Sequence, residues 1–466
     1  MIRSIPDIQT FKQKALQWAS AFDAVCYLGS NGFKDVYSKF DTLISVGAKN
    51  ELTTCAGNAF DQLEVFRKQN PDWITGFFGY DLKNEVENLS SSNPDHLHFP
   101  DLFFFVPQYL IIINGDQVEI TTDDAEVVFD QIQHQELHQQ AQITGVKLQS
   151  RFSKTEYLNA AEKIRAHITQ GDIYVTNFCQ EFFADGVSID PVSVFLQLGQ
   201  ISPNPFASFF KWKDNYILCA SPERFLAKRG VKLISQPIKG TAKRGNTQTE
   251  DVAIKQELRN HTKELQENVM IVDLVRNDLT RSARQGSVKT EELFSIHSFS
   301  QVHQMISTVV CELQDDISTI QAIKNTFPMG SMTGAPKISS MQLMEQYERS
   351  RRGVYSGAIG YFSPDNDFDF NVVIRSLLYN ATEKYLSFHV GSAITYHADP
   401  SKEYEECLLK AKAIMEVLGQ TSLNDEKPKK RPSDIIKGML SEKEADEYHK
   451  YLKKARSEWD RDIGRD

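Results

Sequence analysis

An α+β fold rich in antiparallel pairing is what this sequence predicts, and two observations carry it. Short apolar runs separated by turn residues recur through the first quarter of the chain, the pattern of strands joined by hairpins. Later on, helices with one apolar side stand among further short apolar runs, so helical and extended periods mix along one chain.

The elements follow in order. Residues 8–20 predict a first helix, and 24–28 and 43–46 are short apolar runs. Residues 74–81 read as a strand whose glycines, Gly76 and Gly79, mark close backbone approach or a bend. The runs 102–106 and 109–113 are separated by Pro107, and 118–120 returns as a hairpin arm. Residues 124–143 predict a helix that becomes polar; His134 and His138 stand at a metal-ligand spacing there, but no further ligand completes a set. Ser153 and Glu156 make a capping box, Tyr157, Ala161, Ile164 and Ile168 recur at helical spacing, and Gly171 closes that helix. Strands are expected at 172–183, 206–212, 216–220, 225–227 and 231–234, then one long helix from about Thr249 to Asp278. Further strands are expected near 302–310, 357–362, 371–378 and 385–390, and a helix over 401–418. Three regions result: an N-terminal α+β region over 1–145, a second region over 150–420, and a charged helical tail over 421–466 with a capping box at Ser441 and Glu444.

The chain has 466 residues, 41% hydrophobic and 24% charged, with a formal net charge of −10. Those proportions are ordinary for a globular protein. The negative balance argues against nucleic-acid and membrane-surface partners, which need a basic face. It does not exclude an anionic small substrate. Cys26, Cys55, Cys179, Cys219, Cys311 and Cys407 are scattered, with no paired spacing. A reducing, cytoplasmic setting is therefore expected. The opening residues lack the apolar run of a signal peptide, and no stretch reaches the length of a membrane span.

Several residues could carry chemistry. Lys239 follows an apolar strand and precedes Gly240, where the chain is expected to turn. It is either a solvated loop lysine or a nucleophile. Ser221-Pro222-Glu223-Arg224-Phe225 lies upstream, and a hairpin turning at 228–230 would bring Glu223 beside Lys239. Glu264 and Glu267, and separately Glu403 and Glu406, are three apart on predicted helices. Each pair shares one face. The pairs are either exposed acidic faces or, if they converge, a site for a hard cation such as Mg²⁺. Residues 327–337 open a helix behind a glycine turn at Gly334, with Lys337 at its start. That is either a capped helix or an anion site. Arg375 stands in an apolar strand and needs an anionic partner if it points inward. Tyr355 could add a hydroxyl. Pooled, these features describe a pocket for a small dianion, with Mg²⁺, a lysine and an acid; the ligand itself is not named by them.

The combination resembles the chorismate-utilising enzymes. The resemblance runs through SPERF (221–225), PIKGTAKRG (237–245), KELQENVMIVDLVRND (263–278), FPMGSMTGAPK (327–337), RGVYSGAIGYF (352–362), NVVIRS (371–376) and EYEECLLKAKA (403–413), in the family's order, with GFFGYDLKN (76–84) as a weaker N-terminal match. It implies a large anthranilate-synthase-like α+β fold, with layered, mainly antiparallel sheets and helices outside, and makes 150–420 the chorismate-binding catalytic region. Within the family, PIKGT resembles the branch that makes 4-amino-4-deoxychorismate, a folate precursor, from chorismate and ammonia. The branch that makes anthranilate typically has alanine where Lys239 stands. The site the resemblance implies places Mg²⁺ on Glu267 and Glu406 with Glu264 and Glu403 nearby, and the ring carboxylate of chorismate at that ion and at Gly334 and Ala335. Gly240 and Thr241 would also contact substrate. Tyr355 and Arg375 would hold the enolpyruvyl carboxylate, with Gly391 and Lys410 at the wall. Lys239 would attack C2 while Glu223 protonates the departing C4 hydroxyl.

A nucleophilic lysine must be neutral, so its pKa must fall below the free value of about 10.4. Burial, Mg²⁺ and Lys410 are expected to lower it and Glu223 to raise it. The sequence departs from the family at three places. Val175 replaces the glutamine or glutamate of the amino-transferring branch, Gln304 replaces a histidine, and Ala393 replaces a glycine. His303 is one position early, which points it to the opposite face of a strand. No amidotransferase elbow surrounds any cysteine, so ammonia is expected from solution or from a separate glutamine amidotransferase subunit. The resemblance leaves two other outcomes open, an anthranilate-forming large subunit and a non-catalytic chorismate-fold subunit.

Overall fold

The computed structural model describes residues 1–137, 143, 146–299 and 302–420. His138 and the tail over 421–466, with its Ser441–Glu444 capping box, lie outside the described residues. Among the described residues every pairing between named strands is antiparallel, as the layered α+β expectation requires.

Two long strands, Thr42–Thr54 and Leu102–Asn114, pair along their lengths. The runs 102–106 and 109–113 are therefore one strand. Pro107 is tolerated because it faces Ala48 at a register shift, where a missing N–H is not needed. Two sets of strands continue from this pair. One runs through Ala24–Gly29, Phe206–Trp212, Asn215–Ser221, Ser376–Asn380, Tyr385–Thr395 and Val175–Ala184. The other runs through Ile74–Phe78, Ala358–Phe362, Phe368–Val372, Arg224–Arg229, Lys232–Gln236 and Val302–Glu312. Strands from before residue 145 thus pair directly with strands from after residue 150.

Phe77 and Phe103 of the second set and shared pair meet Phe210 of the first, with centroids 5.3 Å and 5.8 Å apart. Both rings meet Phe210 near edge-on, a favoured aromatic geometry. A glycine is required at Gly76, where a Cβ would lie 2.1 Å from the Phe103 carbonyl oxygen. That is the close approach its place in the strand predicts.

Three expectations change. The predicted strand 371–378 is two strands, Phe368–Val372 and Ser376–Asn380, one in each set. The chain crosses between them at Arg375, whose φ is +51°. The predicted helix from Thr249 to Asp278 is two helices, Gln248–Asn260 and Thr262–Thr280, parted by His261 in an extended conformation. No glycine or proline announces that break. The helix expected over 124–143 covers Ala125–His134. The capping box at Ser153 and the left-handed Gly171 cap form as predicted. Helices Pro191–Ile201 and Thr319–Thr326 and the strand Lys289–Ser298 carry no expectation from sequence. No helix among the described residues is long and apolar enough to cross a membrane.

Candidate active site

Glu223 stands where the chain leaves the first strand set at Ser221 and enters the second at Arg224. Arg375 stands at the other crossing, and the two crossings touch. The Ala220 N–H donates to the Arg375 carbonyl oxygen at 3.2 Å, and the Val372 N–H donates to that of Glu223 at 3.0 Å. Side chains at such crossings are free of the alternation that commits strand residues to one face, so they can be aimed at a cleft.

The hairpin expected around 228–230 forms, with Arg224 opposite Gln236. Beyond Pro237 the chain does not turn away. It continues as the strand Ile238–Lys243 along Val302–Glu312. Ile238 faces Ile306 and Thr241 faces Gln304, so one extra residue is accommodated between them. Lys239 and Gly240 form this bulge, with Gly240 at φ +90°. Lys239 is therefore re-aimed by a β-bulge inside a strand, not carried on the lip of a loop. A Cβ on Gly240 would lie 3.3 Å from Glu264 Oε2, which shows how closely this bulge lies on the helix Thr262–Thr280.

Lys239 Nζ lies 3.2 Å from Glu267 Oε2. Lys263, which the family motif contains but the sequence reading did not single out, lies 2.9 Å from Glu403 and 3.8 Å from Glu267. Its four-residue spacing from Glu267 was the available signal. Glu406 pairs with Lys410 at 2.7 Å, and Lys410 donates to the Gly391 carbonyl oxygen at 2.8 Å. Two carboxylate pairs from two helices thus converge with three lysines. Burial alone would lower the Lys239 amine, but Glu267, then Glu406 and Glu264, outweigh it and hold the amine well above its ordinary range. The principal upward push comes from these glutamates rather than from Glu223. Burial, then Glu267, raises Glu264. Burial works against ionisation of Glu406 too, but Lys410 and Lys239 overcome it and bring that carboxyl down to about 2.

Among the described residues no three Asp, Glu, His or Cys side chains stand close enough to ligate one ion together. Lys239 and Lys263 lie against Glu267 and Glu403 instead. In donor type the four carboxylates suit a hard divalent cation. Glu267 Oε1 and Glu403 Oε2 are buried without a hydrogen bond, although Lys263 Nζ lies 3.8 Å from the first, and carboxylate oxygens are ligands that Mg²⁺ takes.

Glu223 is buried, and burial pushes its carboxyl up to about 7, against smaller lowering effects of Ser331 and Lys239. Arg375 has no ion pair or side-chain hydrogen bond among the described residues, and burial alone lowers its guanidinium. A half-buried cation without a partner is a site prepared for an anion. Tyr355 is buried, its ring stacked on His389 with centroids 5.1 Å apart and its hydroxyl 3.9 Å from Cys179 Sγ. A Cβ on Gly391 would lie 2.7 Å from Cys179 Sγ and 2.9 Å from Asn177 Oδ1. Tyr355, Gly391, Cys179 and Asn177 therefore form one wall. A Cβ on Gly334 would lie 2.1 Å from the Val175 carbonyl oxygen, and Gly334 and Ala335 pair with Thr176 and Val175.

Not every expected residue arrives as the sequence placed it. Lys337 is spent on a 2.6 Å ion pair with Asp278 and a bond to the Pro328 carbonyl oxygen, so it adds no free charge at the helix start. Pro336 is the N-cap of that helix. Thr241 is exposed, one residue beyond the bulge. His303 is buried and bonded to Asp251 at 2.9 Å. Gln304 is buried with neither end of its amide hydrogen-bonded.

A clamp missed by sequence reading joins these parts. Arg352 forms a buried bidentate pair with Glu348 at 2.6 and 2.9 Å and donates to the carbonyl oxygens of Met332 at 2.7 Å and Asn177 at 2.9 Å. Glu348 in turn accepts from the Cys179 N–H at 3.0 Å. The N-terminal motif braces it from behind. Asp81 Oδ2 accepts from the Gly353 N–H at 3.2 Å, and the Tyr80 ring lies 4.5 Å from the Arg352 guanidinium.

A bulge-borne lysine beside two glutamate pairs, with a buried acid and an arginine unpartnered among the described residues at two touching strand crossings, is what an enzyme acting on a small dianion requires. The chain belongs to the family of chorismate binding enzymes, which matches residues 15–416. It is 31% identical over 373 residues to aminodeoxychorismate synthase component 1 of Bacillus subtilis (strain 168), covering 76% of this chain and 78% of that protein. It is also 31% identical over 364 residues to anthranilate synthase component 1 of Cereibacter sphaeroides, covering 73% and 72%. Among solved structures, anthranilate synthase component I from Streptococcus pneumoniae TIGR4 superposes with a TM-score of 0.72 at 24% identity, over 82% of this chain and 93% of that one.

Proposed function

We propose that this protein converts chorismate and ammonia to 4-amino-4-deoxychorismate. One observation carries the reading: the Lys239–Gly240 bulge directs a lysine into the carboxylate cleft, on the same hairpin as a buried acid whose pKa matches its task. Arg375 and Tyr355 hold the enolpyruvyl carboxylate. Gly334 and Ala335 keep backbone close to the ring carboxylate, and Gly391 leaves room beside Cys179. Glu264, Glu267, Glu403 and Glu406 would hold Mg²⁺, which when bound binds the ring carboxylate and neutralises the glutamates that keep Lys239 protonated.

Neutral Lys239 Nζ forms a bond to C2, the two ring double bonds shift, and the C4–O bond breaks. The hydroxyl leaves as water with the proton of Glu223. Ammonia then forms a bond to C4, the double bonds shift back, and Nζ departs with its electron pair. The surplus proton on the new amine returns to Glu223. The balance is one ammonia consumed and one water released.

All six cysteines are free and five are buried, which supports a cytoplasmic setting. Ammonia comes from a separate glutamine amidotransferase subunit, a partner suggested by the component 1 designation of the Bacillus relative.

Purified protein given chorismate, ammonium and Mg²⁺ tests the reading. The expected product becomes 4-aminobenzoate only after a lyase is added; anthranilate appearing directly overturns it in favour of the 2-amino reaction. Val175 and the unpartnered Gln304 favour one rival, a subunit that binds chorismate without turning it over. Lys239→Ala separates the two. It abolishes turnover and leaves chorismate binding largely intact if Lys239 is the nucleophile, and changes nothing measurable in the rival case.

A further inference from the structure

Beside Glu223 is a small space that the substrate contacts above do not use. Glu223, Ser235, Pro237, Met329, Gly330 and Ser331 contribute to its lining, and its volume is about 20 Å³. About 10–15 Å³ suffices for one water-sized molecule, so the space suits a ligand of one heavy atom and excludes a second carboxylate.

Most polar groups around it are occupied. Ser235 Oγ donates to the Phe225 carbonyl oxygen at 2.8 Å, Thr326 Oγ1 to that of Ile323 at 3.0 Å, and Asp278 is taken by Lys337 at 2.6 Å. Two groups retain capacity. Ser331 Oγ is buried with no hydrogen-bond partner, yet its hydroxyl acts on the Glu223 carboxyl. A buried hydroxyl without a direct partner beside a buried carboxyl is a place where one small hydrogen-bonding molecule can bridge the two.

We propose that this cavity is the ammonia site, with Ser331 and Glu223 presenting the nucleophile to C4 of the ring. The inference rests on the 4-amino reading above and deepens it. Once Glu223 has given its proton to the departing hydroxyl it is a carboxylate, which accepts a hydrogen bond from ammonia. As the N–C4 bond forms and the C2–Nζ bond breaks, the proton released from nitrogen returns to that same carboxylate. One residue thus acts on both the departing oxygen and the arriving nitrogen, so both pass through the space beside it. Ser331 Oγ fixes the ammonia without competing for the proton, because a serine hydroxyl does not titrate in the working range.

Ser331→Ala removes the bridging hydroxyl and Ser331→Val also fills the space. Steady-state KM values for ammonium and for chorismate, at saturating Mg²⁺, read the result. The expected outcome is an ammonium KM raised about three- to tenfold in the alanine variant, the size of one lost hydrogen bond, and more in the valine variant. The chorismate KM stays within about twofold. An unchanged ammonium KM in both variants, or a rise confined to chorismate, overturns the proposal. A wild-type protein that makes no 4-amino product sinks the functional reading instead, so the two failures are distinct. If the valine variant does not fold, the alanine variant decides by chase. Its Lys239–chorismate adduct, formed without ammonia and followed by mass spectrometry, needs more ammonium to discharge than that of wild type; equal discharge curves overturn the proposal.

Discussion

Glu223 is the residue whose environment speaks most directly to chemistry. Burial raises its carboxyl to about 7, so the acid form is present below neutral pH and lost above it. Turnover is therefore expected to fall about tenfold per pH unit above roughly pH 7, with Glu223→Gln removing both the limb and most of the rate. The same shift has a stability sign. A carboxyl whose folded pKa is raised contributes fully below its unfolded value and loses that contribution as pH rises through the folded one. Stability due to Glu223 thus declines between about pH 4.5 and 7, by ~3 kcal/mol at most. Glu223→Gln does not ionise, so its melting temperature relative to wild type should rise between pH 5 and pH 8; a pH-independent gap contradicts the assignment. Glu223 and Lys239 were both legible in sequence through motif and hairpin spacing. The effect that governs Lys239 was not, because the principal charges acting on it come from helices more than twenty residues away along the chain.

At the scale of elements, the cleft depends on places where regular structure is interrupted. The Lys239–Gly240 bulge and the crossings at Glu223 and Arg375 each release a side chain from strand alternation. Sequence anticipated a break at Gly240 but placed a turn there, since a glycine alone does not distinguish a turn from a bulge. The Arg352–Glu348 pair locks the surrounding segments by bonding to Met332, Asn177 and Cys179. Removing one partner of a buried pair leaves an uncompensated charge, at a cost of about 3–5 kcal/mol. Arg352→Met is expected to lose stability of that order in denaturant unfolding. Arg352→Met with Glu348→Met should recover much of it while the chorismate KM stays raised, because the carbonyl oxygens of Met332 and Asn177 have lost their donor. Full recovery of both would reduce the clamp to a stability element.

Across the whole molecule, the strand Ala24–Gly29 lies between Thr42–Thr54 and Phe206–Trp212, and Ile74–Phe78 lies between Leu102–Asn114 and Ala358–Phe362. A fragment of residues 150–420 would expose two apolar strand edges, a recognised route to aggregation. Such a fragment is expected to be insoluble or to lack cooperative thermal unfolding by circular dichroism; a monomeric fragment that melts cooperatively contradicts this. The GFFGYDLKN motif explains the interdependence locally, since Asp81 and Tyr80 brace the loop that carries Arg352 and Tyr355. By itself the sequence determined the antiparallel α+β class, several of the helices, the family and the motif residues proposed for the site, because these are written in local periodicity and in motifs of fixed spacing. Only the tertiary structure decided that Lys239 lies in a bulge and is held charged by three glutamates, that Lys337 is spent on Asp278, that Arg375 has no partner among the described residues, and that a small cavity lies beside Glu223. Those facts depend on charges, register shifts and voids contributed by segments far apart in the chain, and such distances have no trace in local pattern.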